Sequence, residues 1–176
     1  MMDKTTPTAT PRGLRPLTVM VLTALWIATI GNLALWRALA ALPELDNARG
    51  LLFGLAFALM IGAVQVAISS LFAWRWTLKP VLTFMLLAAA AGAYFMLSYG
   101  VVIERTMMVN VLLTDTREAR ELLSWRMAGM LALLGALPVA LLWRTRLAWP
   151  PAARQLRNNA FTLPLALAVA IATMGL

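Results

Sequence analysis

Histidine and cysteine are both absent from this 176-residue sequence, and charged residues make up only 12% of it. Without cysteine there can be no disulfide framework and no thiolate metal site. Without histidine the commonest general base and metal ligand is missing. The acidic residues number only 7, so a zinc or phosphoryl-transfer centre would have to be built from carboxylates alone. We therefore expect no zinc or phosphoryl-transfer centre within this chain.

Apolar residues, by contrast, account for 62% of the chain, and the mean hydropathy is +0.81. Soluble domains are about half apolar and about a quarter charged, and a single core of this length cannot bury so much apolar surface. A disordered chain has the opposite composition, with low hydrophobicity and high charge. The composition predicts an all-α integral membrane protein that forms one domain over residues 1–176.

Five apolar runs are long enough, or nearly so, to cross a bilayer as helices. A crossing takes about 20 residues, because a helix rises about 1.5 Å per residue and the hydrocarbon core is about 30 Å thick. The sequence therefore predicts a bundle of five transmembrane helices, with Pro138 and Pro164 kinking the last two. The predicted spans cover residues 17–36, 51–74, 81–103, 127–143 and 160–176.

Lys, Arg, Asp and Glu are absent from these five runs. Transporters and proton relays usually carry ionisable residues inside the membrane, so their absence disfavours a pump or ion channel. A small transporter or channel, and a structural membrane subunit, nevertheless stay open as alternative functions. Asn32 and Gln65 are expected to form hydrogen bonds between helices, and Gly54, Ala58 and Gly62 are spaced to let helices pack closely within the bundle.

The basic residues set the expected orientation. The net charge is +8, but the basic residues punctuate the apolar runs instead of forming one soluble face, so we expect no nucleic-acid partner. The larger share of them falls on one side of the membrane if the N-terminus is cytoplasmic, which is the side that basic loops prefer. On that side lie Lys4, Arg12, Arg15, Arg75, Lys79, Arg144, Arg146, Arg154 and Arg157; on the other lie Arg37, Arg49, Arg105, Arg117, Arg120 and Arg126.

The connection over residues 104–126 is too polar to span and is expected to lie at the outer, periplasmic interface as an interfacial helical segment. Asn110, Thr114 and Glu118 are spaced by four residues, so on one continuous helix they share a face. A carboxylate, an amide and a hydroxyl in a row are suited to binding a cationic amine. Spacing alone favours a polar face that simply meets water, and a cap at Thr114 or Asp115 would divide the segment into two helices.

A longer pattern of residues adds to this reasoning. The N-terminal membrane region of the lipid A phosphoethanolamine transferases resembles this chain at residues 98–103, 106–115, 118–119 and 121–124, and at Leu78-Lys79-Pro80-Val81-Leu82 and Gly135-Ala136-Leu137-Pro138. That family includes the mobile colistin-resistance enzymes. The most specific element of the resemblance is Met107, Asn110 and Thr114, followed by Glu118 four residues later. The resemblance covers essentially the whole chain, including the order and lengths of the spans.

The resemblance implies a two-part enzyme of the bacterial inner membrane. Five helices anchor a periplasmic catalytic domain, which holds zinc and a threonine nucleophile and moves phosphoethanolamine from phosphatidylethanolamine to lipid A. It also implies that Asn110, Thr114 and Glu118 bind the lipid headgroup. Because this chain ends at Leu176, we expect the catalytic domain and its zinc to be absent from it. By itself the chain is expected to be an inactive membrane anchor that presents lipid.

Overall fold

The structure is a computed structural model, and it describes residues 13–43, 46–99 and 124–175. Over these residues every regular element is helical, and the one contact of β type is an isolated bridge between Leu14 and Leu147. In chain order the helices are α1 (Pro16–Ala28), α2 (Leu33–Ala40), α3 (Ala48–Leu71), α4 (Leu78–Tyr99), α5 (Trp125–Leu131), α6 (Leu137–Arg144) and α7 (Ala152–Thr173).

Four helical stretches within the described ranges are long and apolar enough to cross a membrane. They are Pro16–Ala40, Ala48–Leu71, Leu78–Ser98 and Trp125–Arg144, and they overlap the first four predicted spans. The protein is therefore an all-helical membrane protein. The fifth predicted span lies within α7, whose first turns carry Arg154, Gln155 and Arg157, so the start of this helix is less apolar than the others. A fifth crossing stays a prediction.

Short connections place the helix ends in two groups. We name the first the Lys79 end: α3 turns into α4 there, and the Lys79 ammonium donates to the carbonyl oxygens of Trp143 at 3.2 Å and Thr145 at 2.9 Å, where α6 ends. A cation at a helix C-terminus satisfies carbonyls that lack helical donors. The opposite end, where α4 stops and α5 starts after Ser124, is named the Ser124 end.

The first transmembrane stretch is interrupted between α1 and α2. A single 3₁₀ turn, Ile30–Asn32, separates the two helices. The Asn32 side chain donates its Nδ2 hydrogen to the Ile27 carbonyl at 2.8 Å, and Thr29 donates to the Leu25 carbonyl at 2.6 Å. The first bond gives a donor to a backbone oxygen at the break, and the second adds to the bond that the Thr29 N–H already makes to the Leu25 carbonyl at 3.0 Å. The prediction that Asn32 bonds between helices was therefore wrong, because its amide is used within its own segment.

A second irregularity joins α5 to α6. Residues Ala132–Ala136 form a π-helical segment directly before Pro138, and π-turns are a common way for a helix to absorb a local disruption. Gly135 faces α4 there: a Cβ at this position would lie 3.1 Å from the Ala90 Cβ and 3.1 Å from the Leu87 Cδ2. The missing side chain is what allows α4 and the π-helical segment to approach so closely.

The apolar core lies between α1, α4 and α6. Ala73, Leu78 and Leu82 are fully buried in it, and Val19, Met20, Ile27, Leu86 and Leu142 complete it. A separate seam joins α3 to α7 through small side chains, with Ala63 and Ala67 on one helix and Ala166 and Ala170 on the other all buried. Small residues let helix backbones approach in lipid.

The sequence predicted packing through Gly54, Ala58 and Gly62, which are not the α3 residues that form this seam. A Cβ on Gly54 or Gly62 would meet no atom of the described residues within 4 Å, so these glycines are not at a contact between described helices. The spacing of four residues is correct for a packing stripe, but spacing does not say which face of an almost uniformly apolar helix is turned inward. The prediction that Gly54 and Gly62 pack within the bundle was wrong for the described residues.

Candidate functional site

The predicted headgroup-binding residues, Asn110, Thr114 and Glu118, all lie outside the described residues. Their shared face stays a prediction. The structure does describe the helices on either side of this stretch, α4 and α5, and the neighbouring surface at the same end. These parts define the candidate site.

A hydrogen bond at the Ser124 end joins the helix before the polar stretch to the helix after it. The hydroxyls of Tyr94, near the end of α4, and Ser124 lie 3.1 Å apart. The Ser124 Oγ also accepts the backbone N–H of Met127 at 3.1 Å and thereby caps α5. Tyr94 is 4% exposed, so its hydroxyl needs this partner. The bond therefore holds the start of α5 against α4.

A groove of about 700 Å³ lies at the same end between α2 and the first turns of α3. The groove is open along α3 because the side chains of Gly50, Gly54 and Ala58 are absent or small. The wall is shaped by Trp36, whose indole N–H donates to the Ala28 carbonyl at 2.7 Å. The complete lining is Thr29, Trp36, Leu39, Ala40, Asp46, Asn47, Ala48, Gly50, Leu51, Gly54, Leu55 and Ala58.

Asp46 gives this groove a charge. It is the one acidic residue within the described ranges, and it lies on the groove one residue before the cap of α3. Asn47 is that cap: its Oδ1 accepts the Gly50 N–H at 2.9 Å. Sequence reasoning did not single out Asp46. The available signal was Asn47 followed by Gly50 at capping distance, which marks a helix start and places Asp46 at the membrane surface.

The groove combines a carboxylate, an aromatic ring and an apolar wall. A carboxylate attracts a protonated amine directly, and an indole face attracts the same cation through its quadrupole. The surrounding Leu39, Leu51 and Leu55 offer apolar contact to a hydrocarbon chain. In chemical terms the groove suits an amphiphile whose head is a primary ammonium group.

The described residues do not suit a metal. They hold no group of three His, Cys, Asp or Glu side chains that could ligate an ion, and the whole sequence has neither His nor Cys. Zinc ligands in proteins are drawn from these types.

Taken together, the fold and this site define a helical membrane protein with a groove at one end of its bundle that is lined by one carboxylate, an indole ring and apolar side chains. The sequence model described as phosphoethanolamine transferase EptA/EptB matches residues 60–176. The match covers well over half of the chain, and the chain belongs to this family, as part of its N-terminal membrane region.

Individual relatives agree with the family match. The chain is 30% identical over 165 residues to phosphatidylethanolamine transferase Mcr-2 of Escherichia coli, covering 93% of this chain and 30% of the relative. It is 29% identical over 143 residues to phosphoethanolamine transferase EptA of E. coli K12, covering 81% of this chain and 26% of the relative. The chain thus spans less than a third of the length of these proteins.

A solved structure has the same fold. The integral membrane protein lipooligosaccharide phosphoethanolamine transferase A (EptA) from Neisseria meningitidis superposes with a TM-score of 0.75 at 17% sequence identity. The superposition covers 93% of this chain and 31% of that structure. At this identity the likeness concerns the fold alone.

Proposed function

We propose that this chain is the part of a phosphoethanolamine transferase that anchors the enzyme in the bacterial inner membrane and binds its lipid donor. The donor is phosphatidylethanolamine and the acceptor is lipid A. The observation that carries the proposal is the family match over residues 60–176. The transfer itself, with its zinc and nucleophile, belongs to a periplasmic catalytic domain outside these 176 residues.

The Ser124 end supports the location of donor binding. The bond between Tyr94 and Ser124 joins the helices that flank the polar stretch at this end, and the groove with Asp46 lies there too. We propose that Glu118 pairs with the ethanolamine ammonium, while Asn110 and Thr114 supply neutral hydrogen bonds. Asp46 adds a second carboxylate to the same electrostatic surface. Fixing the headgroup in this way converts a lateral encounter into an oriented one.

The proposed orientation puts the Ser124 end in the periplasm and the Lys79 end in the cytoplasm. Arg15, Arg75, Lys79, Arg144 and Arg154 all lie at the Lys79 end, and basic loops favour the cytoplasmic side. Asp46 lies at the opposite end. In this orientation α7 supplies the fifth crossing: its 22 residues rise about 33 Å, enough to traverse the hydrocarbon core.

Labelling of single cysteines tests the orientation, and the absence of native cysteine makes the labelling clean. Trp76, which is 85% exposed, is replaced at the Lys79 end as Trp76→Cys, and Thr116 is replaced in the polar stretch as Thr116→Cys. A maleimide that cannot cross the inner membrane should label only the second variant in spheroplasts, and both after lysis. Labelling of the first variant alone would reverse the orientation and remove the headgroup proposal.

A chimera tests donor binding, with this chain replacing the matching part of Mcr-2. Transfer of phosphoethanolamine is measured for Glu118→Gln, Asn110→Ala and Asp115→Asn. Losing a charge-assisted hydrogen bond to the headgroup should lower transfer about tenfold or more for Glu118→Gln. Asp115→Asn is the matched control, because it removes the same charge three residues away and should leave the rate near that of the unmodified chimera. Equal rates in all variants would overturn the headgroup role.

A further inference from the structure

A cavity of about 640 Å³ lies at the Lys79 end, on the opposite side of the membrane from the proposed donor site. It is enclosed by the start of α1, the extended stretch 147–151 and the first turns of α7. Its volume is in the usual range for ligand pockets in proteins. The complete lining is Arg15, Pro16, Leu17, Met20, Ala148, Trp149, Pro150, Pro151, Arg154, Gln155, Asn158, Asn159, Phe161 and Thr162.

The cavity carries positive charge without a carboxylate among its described lining residues. Arg15 and Arg154 both line it, while the one acid within the described ranges, Asp46, lies at the other end of the bundle. Arginine forms short, paired hydrogen bonds with phosphate oxygens because its guanidinium is planar and always charged. The helices α1 and α7 both begin at this cavity, and their N-termini add to the attraction for an anion.

Another part of the cavity lining is apolar. Leu17, Met20 and Phe161 line it, and Phe161 is 71% exposed, on the side of α7 that continues into the proposed fifth crossing. An inorganic anion would leave these side chains unused. A ligand with an anionic head and a hydrocarbon tail matches both parts of the lining.

Hydrogen bonds hold the two arginines on a fixed backbone. Next to Arg15, the Leu14 N–H donates to the Arg146 carbonyl at 2.9 Å, and the Ala148 N–H donates to the Leu14 carbonyl at 2.9 Å. Gly13 allows this close pairing, because a Cβ there would lie 2.8 Å from the Arg146 carbonyl oxygen. The cavity wall on the α1 side is therefore built by backbone pairing.

On the α7 side the anchor is a buried amide. Gln155, only 5% exposed, donates its Nε2 hydrogens to the Ala73 carbonyl at 3.0 Å and the Asn159 Oδ1 at 2.8 Å. The first turn of α7, which carries Arg154, is thereby attached to the end of α3. Both arginines thus stand on backbone that is positioned before any ligand binds, which lowers the ordering cost of binding.

We propose that this cavity binds one anionic glycerophospholipid from the leaflet at the Lys79 end, with its phosphate between Arg15 and Arg154 and an acyl chain along Leu17 and Phe161. Basic pockets between transmembrane helices bind anionic lipid headgroups in this way. In the proposed orientation this leaflet is the cytoplasmic one. The site shares no residue with the donor site, so the two proposals stand or fall separately.

Native mass spectrometry of the purified chain tests the proposal. Retained lipid is counted while phosphatidylglycerol, phosphatidylcholine or inorganic phosphate is titrated. The test variant carries Arg15→Gln and Arg154→Gln together. The matched control carries Arg144→Gln and Arg157→Gln, which remove the same charge from exposed positions at the same end that do not line the cavity.

One phosphatidylglycerol should bind in preference to phosphatidylcholine, and the test variant should weaken it by about 30-fold, on the scale of two basic residues near a lipid surface. The control should keep most of the affinity. Equal loss in both double variants would reduce the effect to general surface charge and overturn the site. Competition by inorganic phosphate at the lipid's own concentration would overturn the lipid assignment.

A cross-linking experiment needs no substitution and therefore no assumption about folding. Phosphatidylglycerol with a photoreactive acyl chain is incorporated into nanodiscs that contain the unmodified chain, and the cross-linked peptides are identified. Cross-links should concentrate on residues 17–20 and 158–162. An even distribution over the lipid-facing helices would contradict a defined site.

Discussion

Trp26 and Leu134, which are 108 positions apart in the chain, are joined in the middle of the bundle: the indole N–H donates to the Leu134 carbonyl oxygen at 3.2 Å. In an α-helix that oxygen would accept from the residue four positions later. Here that residue is Pro138, which has no N–H. Trp26 thus donates to an oxygen whose α-helical donor is missing, and this oxygen belongs to the π-helical segment Ala132–Ala136.

Removing the Trp26 indole N–H should show how much the hydrogen bond to the Leu134 carbonyl stabilises the fold. Trp26→Phe keeps an aromatic ring but loses the N–H, and we expect it to lower the free energy of unfolding by about 1 kcal/mol, within the range measured for hydrogen bonds between membrane helices. Pro138→Ala returns a backbone N–H to the Leu134 carbonyl, so Trp26→Phe should cost less in that background. The measurement is a double-mutant cycle of unfolding in mixed micelles.

Trp76→Phe is the control for this cycle, since Trp76 is 85% exposed and the exchange should be nearly neutral there. If Trp26→Phe cost the same in the unmodified chain and in the Pro138→Ala background, the indole would be stabilising the fold through packing alone.

Two glycines should respond in opposite ways to one added methyl group. In Gly135→Ala the new Cβ would crowd Ala90 and Leu87 at 3.1 Å, and overpacking of this kind costs about 1–3 kcal/mol. In Gly62→Ala the new Cβ would meet no described atom within 4 Å, so the higher helix propensity of alanine should stabilise the protein slightly. Thermal unfolding of both variants followed by circular dichroism checks the signs, and a destabilising Gly62→Ala would point to a contact at that face.

Substitutions of Ser124 and Tyr94 should have different effects on the hydrogen-exchange rate of the Met127 amide. Ser124→Ala removes both the bond to Tyr94 and the cap on the Met127 N–H, so the Met127 amide should exchange faster. Tyr94→Phe removes only the first bond and should leave that amide protected. Loss of an N-terminal cap costs about 1 kcal/mol, which corresponds to roughly fivefold faster exchange through local opening. Equal acceleration in both variants would show that the two bonds act as one unit.

Hydropathy was sufficient to predict the first four spans to within a few residues, because the length of an apolar helix is fixed by bilayer thickness. The interruptions of the helices inside those spans were harder to predict from the sequence. The 3₁₀ turn at Ile30–Asn32 follows from the local bond of Asn32, which a count of apolar residues does not detect. The π-helical segment was marked by Pro138, but its partner Trp26 comes from another span, and sequence does not reveal which helices become neighbours.

The candidate site was predicted less completely than the fold. The row of Asn110, Thr114 and Glu118 came from spacing and from resemblance, and it stays a prediction. Asp46 and Trp36 were not singled out, because nothing in the sequence shows that residues ten positions apart on either side of a helix boundary line one groove. Gln155 and Asn159 were not singled out at all, since two amides near a helix start look like an ordinary polar surface until Ala73 is brought beside them.

Those two amides give the last prediction, which concerns how α7 is held to the bundle. Gln155→Leu leaves the Ala73 carbonyl with Asn159 alone, whose Nδ2 lies at the longer distance of 3.3 Å, and should lower the free energy of unfolding by about 1–2 kcal/mol.

Gln155→Glu should cost more, although its shape is conserved, because it removes both donors and turns a carboxylate toward the Ala73 and Asn159 oxygens. Asn158→Ala, at an exposed neighbouring position, should stay within about 0.5 kcal/mol of the unmodified chain. Unfolding titrations of all three variants measure their free energies of unfolding and so rank their stabilities. A Gln155→Glu variant as stable as the unmodified protein would mean that α7 is held by its alanine seam with α3 and does not need the buried amide.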